Sequence, residues 1–491
     1  MKQSAPHDLD TTPRSGDANE KRRTLILFNV VIMTLMICVD SSIVNVALPV
    51  MSEQLGCGMG LIQWVSTSYL LLTCSGILIC GRLGDIFGKV RVFMIGVALF
   101  TLGSLLCGIS PNLPILVAAR ALQGIGGAAA FANNQGIITE VFPSNERGHA
   151  LGWIATAASV GSLIGPSLGG IILSVASWGG IFLVNVPIGI FVFALGAKIL
   201  PNRKPQNPNP LDIPGSMLLF ASLLLIVSSV NELQQTQNAV VFGQLAVGIV
   251  LLVAFGFIER RAKFPVVPLS IFRNPSLLLN MFTLFSLFFV IGAEGILFPF
   301  YLQNALGMEP GTAALFMTTI PVVTGVVGPI AGAVSDRVGC YIPTCIGLFL
   351  AAAGQFLCSM LSLHSPWIQI VLSMAVYGLG SGLFNAPNNS LIMGSAKPDD
   401  LGFMGGFAAF ARNFGMVLGL TVCTSVLYGS MSAEVGYRVT DYIPGRPEVY
   451  MHGMSTVFII MGIVVFLGFI GTMARYLLMR RELKAADEAL R

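Results

Sequence analysis

Residues 24–50 run for 27 positions with a single ionisable side chain, Asp40. A helix rises ~1.5 Å per residue and needs ~20 apolar residues to cross the ~30 Å hydrocarbon layer of a bilayer. The stretch is long enough to span a membrane, and it carries a carboxyl group well away from either end. A charge at mid-membrane costs roughly 2.5–3.5 kcal/mol even on insertion scales. Asp40 therefore reads as a functional group or as one side of a structural polar contact.

The pattern recurs along the chain. Apolar segments lie near residues 24–50, 61–80, 90–110, 114–139, 149–174, 179–200, 213–231, 239–258, 276–302, 311–334, 341–363, 367–392, 402–430 and 453–478. Charged residues make up only 10% of the sequence, against ~25% in soluble domains, which excludes a soluble globular protein and points to a polytopic membrane protein. If alternate connections face the same side as the N-terminus, that side holds 23 of the 27 Lys and Arg residues. The positive-inside rule then places both termini in the cytoplasm. The net charge of +4 thus reflects orientation, and no basic patch laced with aromatics suggests nucleic acid. Most of the nine cysteines sit inside apolar runs, at no metal-ligand spacing, and read as small buried hydrophobes rather than disulfides or metal ligands. Residues 1–20 are polar and lack the apolar core of a signal peptide, so the first segment is expected to be retained.

Two connections read as linkers, residues 201–212, rich in Pro and Asn, and residues 259–275. The expected plan is an all-α membrane protein of 14 transmembrane helices, two six-helix bundles (24–200 and 276–478) with two extra helices (213–258) between them, and cytoplasmic tails at 1–23 and 479–491. The two sixes also echo each other. Gly81-Arg-Leu-Gly-Asp85-Ile-Phe-Gly88-Lys89-Val-Arg91 follows the second segment, and Gly332-Ala-Val-Ser-Asp336-Arg337-Val-Gly339 follows the tenth. A repeat at the same point of each half is a mark of transporter folds, whose substrate site lies between the halves near the midplane.

Five stretches carry a resemblance: DSSIVNVALP at 40–49, GRLGDIFGKVR at 81–91, RALQGIGGA at 120–128, GSLIGPSLGG at 161–170 and WGGIFLVNVPIG at 178–189. Together they resemble the major facilitator superfamily, specifically its fourteen-helix drug:proton antiporter branch. The resemblance covers nearly the whole chain. It implies a multidrug efflux transporter of the cell (inner) membrane, acting in antibiotic resistance, with protons as the coupling ion and no other cofactor. The cargo it implies is lipophilic and cationic; the alternative is one metabolite, such as a vitamin, amino acid or lipid. A monomer in the lipid bilayer is expected.

By resemblance, Gly81, Asp85, Gly88, Lys89 and Arg91, with Asp336 and Arg337 in the second copy, form a cytoplasmic latch. On physical grounds the glycines allow a tight turn, Asp85 suits a helix start, and the basic residues sit at headgroup level. Ile86 and Val90 stand where the family usually has basic residues. Gly161, Gly165, Pro166, Gly169 and Gly170 make a small-residue face that permits close packing and a bend; the resemblance makes this the antiporter helix.

Arg120, inside the fourth segment, must pair with an acid, reach carbonyls, line a wet cavity or snorkel outward. The resemblance sets it near the proton-handling site of the N-terminal half, where its charge answers to whether Asp40 is ionised; in the C-terminal half Glu294 is the one acid well inside a span, and it is expected to gain and lose protons as Asp40 does. Arg412 is expected either as the counterpart of Glu294 or as an interface anchor. The substrate path is expected to include Asp40, Glu294 and Arg412 together with Asn45, Asn133, Asn134, Gln135, Asn385, Asn388 and Asn389, although bonding between helices explains the amides about as well. An enzyme is not expected, since no histidine falls well inside a span and no nucleotide loop GxxxxGK[ST] occurs.

Overall fold

The protein, here a computed structural model, is described over residues 15–201, 212–233, 238–262, 273–395 and 401–490. Within these residues it is helical throughout, with no strand. The order is α1 (Ser15–Gln54), α2 (Met59–Ile62), α3 (Trp64–Phe87), α4 (Lys89–Gly108), α5 (Leu113–Val141), α6 (Ser144–Val175), α7 (Gly180–Leu183), α8 (Asn185–Ile199), α9 (Ile213–Leu233), α10 (Ala239–Glu259), α11 (Pro275–Phe300), α12 (Pro310–Met317), α13 (Thr319–Val338), α14 (Tyr341–Ser359), α15 (Trp367–Gly394), α16 (Leu401–Val435) and α17 (Pro447–Leu490). Most of the linker at 201–212, part of the connection at 259–275 and the N-terminal tail lie outside the described residues.

Each apolar segment coincides with helix, but several helices run past the apolar limits. α1 starts nine residues before Thr24, and α17 continues to Leu490. Hydrogen bonding along the backbone does not stop where the apolar run stops, so polar ends stay helical in headgroups or water. Among the described residues, twelve helices are long and apolar enough to cross a membrane; the described apolar parts of α6 and α9, Ile164–Val175 and Pro214–Val230, are shorter.

Breaks occur inside some segments, two of them with a proline behind them. Pro187 has no N–H to give Leu183, and α7 ends there; Pro321 has none to give Met317, and α12 ends there.

Packing repeats. α1 lies on α6, and α5 on α3 and α4; likewise α11 lies on α16, and α15 on α13 and α14. The same glycines do the work in both sets. A Cβ on Gly96 would stand 2.8 Å from Gly126 O, and one on Gly347 2.8 Å from Gly380 O. Gly103 against Gln123 is matched by Gly354 against Tyr377. Gly88 and Gly339 link the paired helices with positive φ of 102° and 83°, a conformation that favours glycine. The first member of each pair precedes its mate by 251 positions (88 to 339, 96 to 347, 103 to 354). α9 and α10 pack on each other, and α9 also rests on α3 and α16.

Candidate functional site

α1 brings Asp40 into the middle of the first set of helices, where α5 supplies Arg120 and Gln123, one turn apart on one face. Arg120 Nη1 donates to Asp40 Oδ2 at 2.6 Å and to Gln123 Oε1 at 2.7 Å, while its Nε donates to Val65 O at 2.9 Å. Asp40 Oδ1 accepts from Gln123 Nε2 at 2.8 Å and from Asn185 Nδ2, on α8, at 2.7 Å. Gln123 Nε2 also reaches Ser104 Oγ on α4 at 2.8 Å. The Tyr69 ring covers the guanidinium at 4.1 Å from its centroid, with Phe182 at 5.5 Å. Asp40 is 0% exposed and Arg120 1%. The close approach depends on small residues, since a Cβ on Gly124 would stand 2.6 Å from Tyr69 O.

Two charges taken out of water are tolerated when each finds its full set of partners. Here the arginine neither snorkels nor lines a crevice, and the acid does not stand alone. Asp40 is sealed, so in this conformation it faces no substrate path. Asn185 and Gln123 were not anticipated as its partners. The available signals were an amide within the apolar stretch 179–200 and a glutamine one turn from Arg120.

In the second set of helices, Glu294 on α11 is 6% exposed and accepts from Gln355 Nε2 on α14 at 2.9 Å. Arg412 is not its partner. No ion pair among the described residues includes Arg412, which is half-buried on α16 with the Phe288 ring 5.9 Å away.

The amides divide into two groups. Asn133 donates to Cys80 O and Ala129 O (3.1 and 2.9 Å), Asn134 to Thr34 Oγ1 (2.8 Å) and Asn388 to Asn280 O (3.2 Å); all three are buried and engaged in helix packing. Asn45, against Gly295, and Asn385, bonded to Ser381 Oγ at 3.2 Å, are half-buried; Gln135, against Gly405, and Asn389 are exposed. Asn45 and Gln135 lie where the two sets of helices meet.

At the end bearing the basic connections, Lys89 Nζ sits 2.6 Å from Glu140 Oε1 and 3.6 Å from Asp85 Oδ1. Gly136 makes room for the Lys89 stem. Glu140, at the end of α5, is a partner the sequence reading did not name. A Cβ on Gly81 would stand 4.0 Å from Ala132 Cβ, and Arg91 and Arg337 are exposed. The Asp336 side chain lies outside the described residues.

The glycine face of α6 is seated on α1. Cβ atoms on Gly161 and Gly169 would stand 2.8 Å from Leu35 O and 2.9 Å from Ile43 Cγ1, and Gly165 meets Ser42. This is the part of α1 that carries Asp40. Pro166 is inside α6 and buried, and Gly170 touches Ala314 of α12, so α6 bridges the two sets.

At the opposite end from the basic connections, both sets line a recess of about 510 Å³ that includes Glu53, Cys57, Gln303 and Asp441. Met59 N donates to Asp441 Oδ1 at 2.7 Å, Gln303 Nε2 to Val46 O at 3.0 Å, and Ser167 and Thr318 share a hydroxyl bond of 2.7 Å. Nothing in the sequence marked Asp441, an acid in an ordinary connection.

The chain matches a sequence profile described as Major Facilitator Superfamily over residues 30–420 and 297–490. It is 31% identical over 449 residues to the "Riboflavin transporter RibZ" of Clostridioides difficile strain 630, covering 91% of this chain and 98% of that protein. It is 30% identical to the "Multidrug resistance protein Stp" of Mycobacterium tuberculosis, covering 83% of this chain and 76% of that one. Among solved structures, the chain resembles a bacterial homolog of the human lysosomal transporter Spinster, with a TM-score of 0.63, 13% identity and coverage of 92% of this chain and 97% of that one. At that identity the likeness concerns the fold.

Proposed function

Because this chain belongs to the major facilitator superfamily, we propose that it is a proton-coupled antiporter that exports lipophilic small molecules by alternating access. In this reading the chain crosses the cell (inner) membrane fourteen times, with both termini in the cytoplasm, and works as a monomer. The observation that carries it is the sealed network of Asp40, Arg120, Gln123 and Asn185 on the part of α1 that α6 grips. A proton on Asp40 removes the countercharge of Arg120 and weakens contacts that hold α1 to α5 and α8. Because α6 spans from α1 to α12, a shift there is passed to the other set of helices. One proton moving down ~100 mV supplies about 2.3 kcal/mol, enough for a ~50-fold gradient of cargo. Multidrug resistance relatives at about the same identity support export.

The expected preference for cations is harder to support, for Asp40 is held by Arg120 and Glu294 accepts from Gln355. A cationic cargo would have to displace one of these partners.

The test is export from proteoliposomes driven by an imposed pH gradient. Asp40→Asn is expected to abolish pH-driven export while leaving downhill leak of the same dye measurable, with rates normalised to folded protein. Undiminished coupled export by this variant would remove Asp40 from the mechanism. The riboflavin transporter relative favours a second reading, a carrier dedicated to one metabolite. Strong competition by a single vitamin and none by unrelated dyes would select it.

A further inference from the structure

Arg412 is a charge inside α16 that no carboxylate among the described residues answers. It stands eleven residues into α16, ~16 Å along that helix at 1.5 Å per residue. A guanidinium keeps its proton under all ordinary conditions and presents five N–H donors. Inside a membrane such a group must meet acceptors, water or a ligand. Asp40 is committed to Arg120, and Glu294 accepts from Gln355 on α14. No hydrogen bond or ion pair among the described residues involves Arg412, and its side chain remains half-buried rather than sealed.

Its surroundings lie on the divide between the two sets of helices. Arg412 lies two residues beyond Phe410, whose O accepts from Cys74 Sγ of α3 at 3.9 Å. Beside Arg412 is Phe288 of α11, half-buried, with the ring centroid 5.9 Å away. Two turns earlier on α16, Gly405 meets Gln135 of α5, so this side of α16 faces the other set of helices. Phe285, also half-buried, continues the aromatic surface from α11 to Phe414 at 5.9 Å.

We infer that Arg412 binds an anionic oxygen of the cargo, the carboxylate of an aromatic molecule whose ring lies on the Phe288 and Phe285 surface. The inference rests on the export reading above for there being a cargo, and it sets the cargo's charge opposite to the cationic class. A fixed, uncompensated positive charge attracts carboxylates and repels lipophilic cations on the same skeleton. A charge-assisted hydrogen bond in such a site corresponds to ~10-fold to ~100-fold in affinity.

The experiment is equilibrium binding to the full-length protein in detergent, with fluorescein and rhodamine 123 as probes. They share a xanthene skeleton and carry opposite charge. The unmodified protein is expected to bind fluorescein more tightly. Arg412→Gln should lose ~10-fold to ~100-fold for fluorescein with rhodamine 123 unchanged or tighter, and Arg412→Lys, which keeps the charge, should recover part of the loss. Equal losses for both dyes, a preference of the unmodified protein for rhodamine 123, or no binding of fluorescein would each overturn the inference. Binding needs no gradient, so a failure of proton-driven export would leave this result standing, and the reverse also holds. Monodisperse elution of both variants shows that they fold.

Discussion

At the scale of single residues, the pair at the centre of the first helix set sets the terms. Removing Asp40's charge while Arg120 stays leaves a sealed guanidinium with only neutral acceptors, an outcome that costs about 3–5 kcal/mol for buried pairs. Asp40→Asn and Arg120→Gln are each expected to lower the thermal midpoint in detergent. The two together should recover most of the loss, because no charge is then left without a partner; simple additivity of the two losses would mean that the groups do not act on each other. Asp40 and Arg120 could be picked from the sequence because a charge within an apolar run is costly and must be explained. Their association came from the family resemblance and not from the residues themselves, since the pairing depends on how α1 and α5 are rotated, and eighty positions separate them. Asn185 and Gln123 were harder still, as an uncharged amide costs little and appears in membrane helices for many reasons.

At the scale of helices, the glycines decide which pairs come close. A methyl group on Gly126 would stand 2.8 Å from both Gly96 O and Phe100 Cα, backbone that cannot yield without moving α4. Gly126→Ala is expected to destabilise by ~1–3 kcal/mol, the usual range for overpacking. Gly256→Ala on α10 meets nothing within 4 Å and should be neutral or stabilising by up to ~1 kcal/mol from helix propensity. Thermal unfolding of the two variants side by side checks this, and equal shifts would refute it. Helix positions were legible from hydropathy, and the breaks after Leu183 and Met317 were written in Pro187 and Pro321. The break at Gln63 has no such residue behind it and could not be read.

At the scale of the molecule, the glycine pairs and the buried acid repeat but the ion pair does not. At the 254-position offset that matches Gly126 to Gly380, Asp40, Arg120 and Gln123 fall on Glu294, Met374 and Tyr377, so each set of helices carries a buried acid, and the arginine that pairs with one of them stands in the first set. The Cys57 thiol, half-buried in the recess that both sets line, has its pKa raised above 9.0 by burial first and by the carboxylate of Asp441 second. The thiolate is the reactive form, so alkylation of Cys57 should accelerate as pH rises through 9. Asp441→Asn removes a negative charge that opposes thiolate formation, lowers that pKa, and should speed labelling at any fixed pH below it. A slower reaction in that variant would show that access, and not charge, limits the rate. Because the recess has one wall from each half, it cannot survive their separation, and a maleimide too polar to enter the bilayer would then count, turnover by turnover, how often this mouth of the carrier gapes.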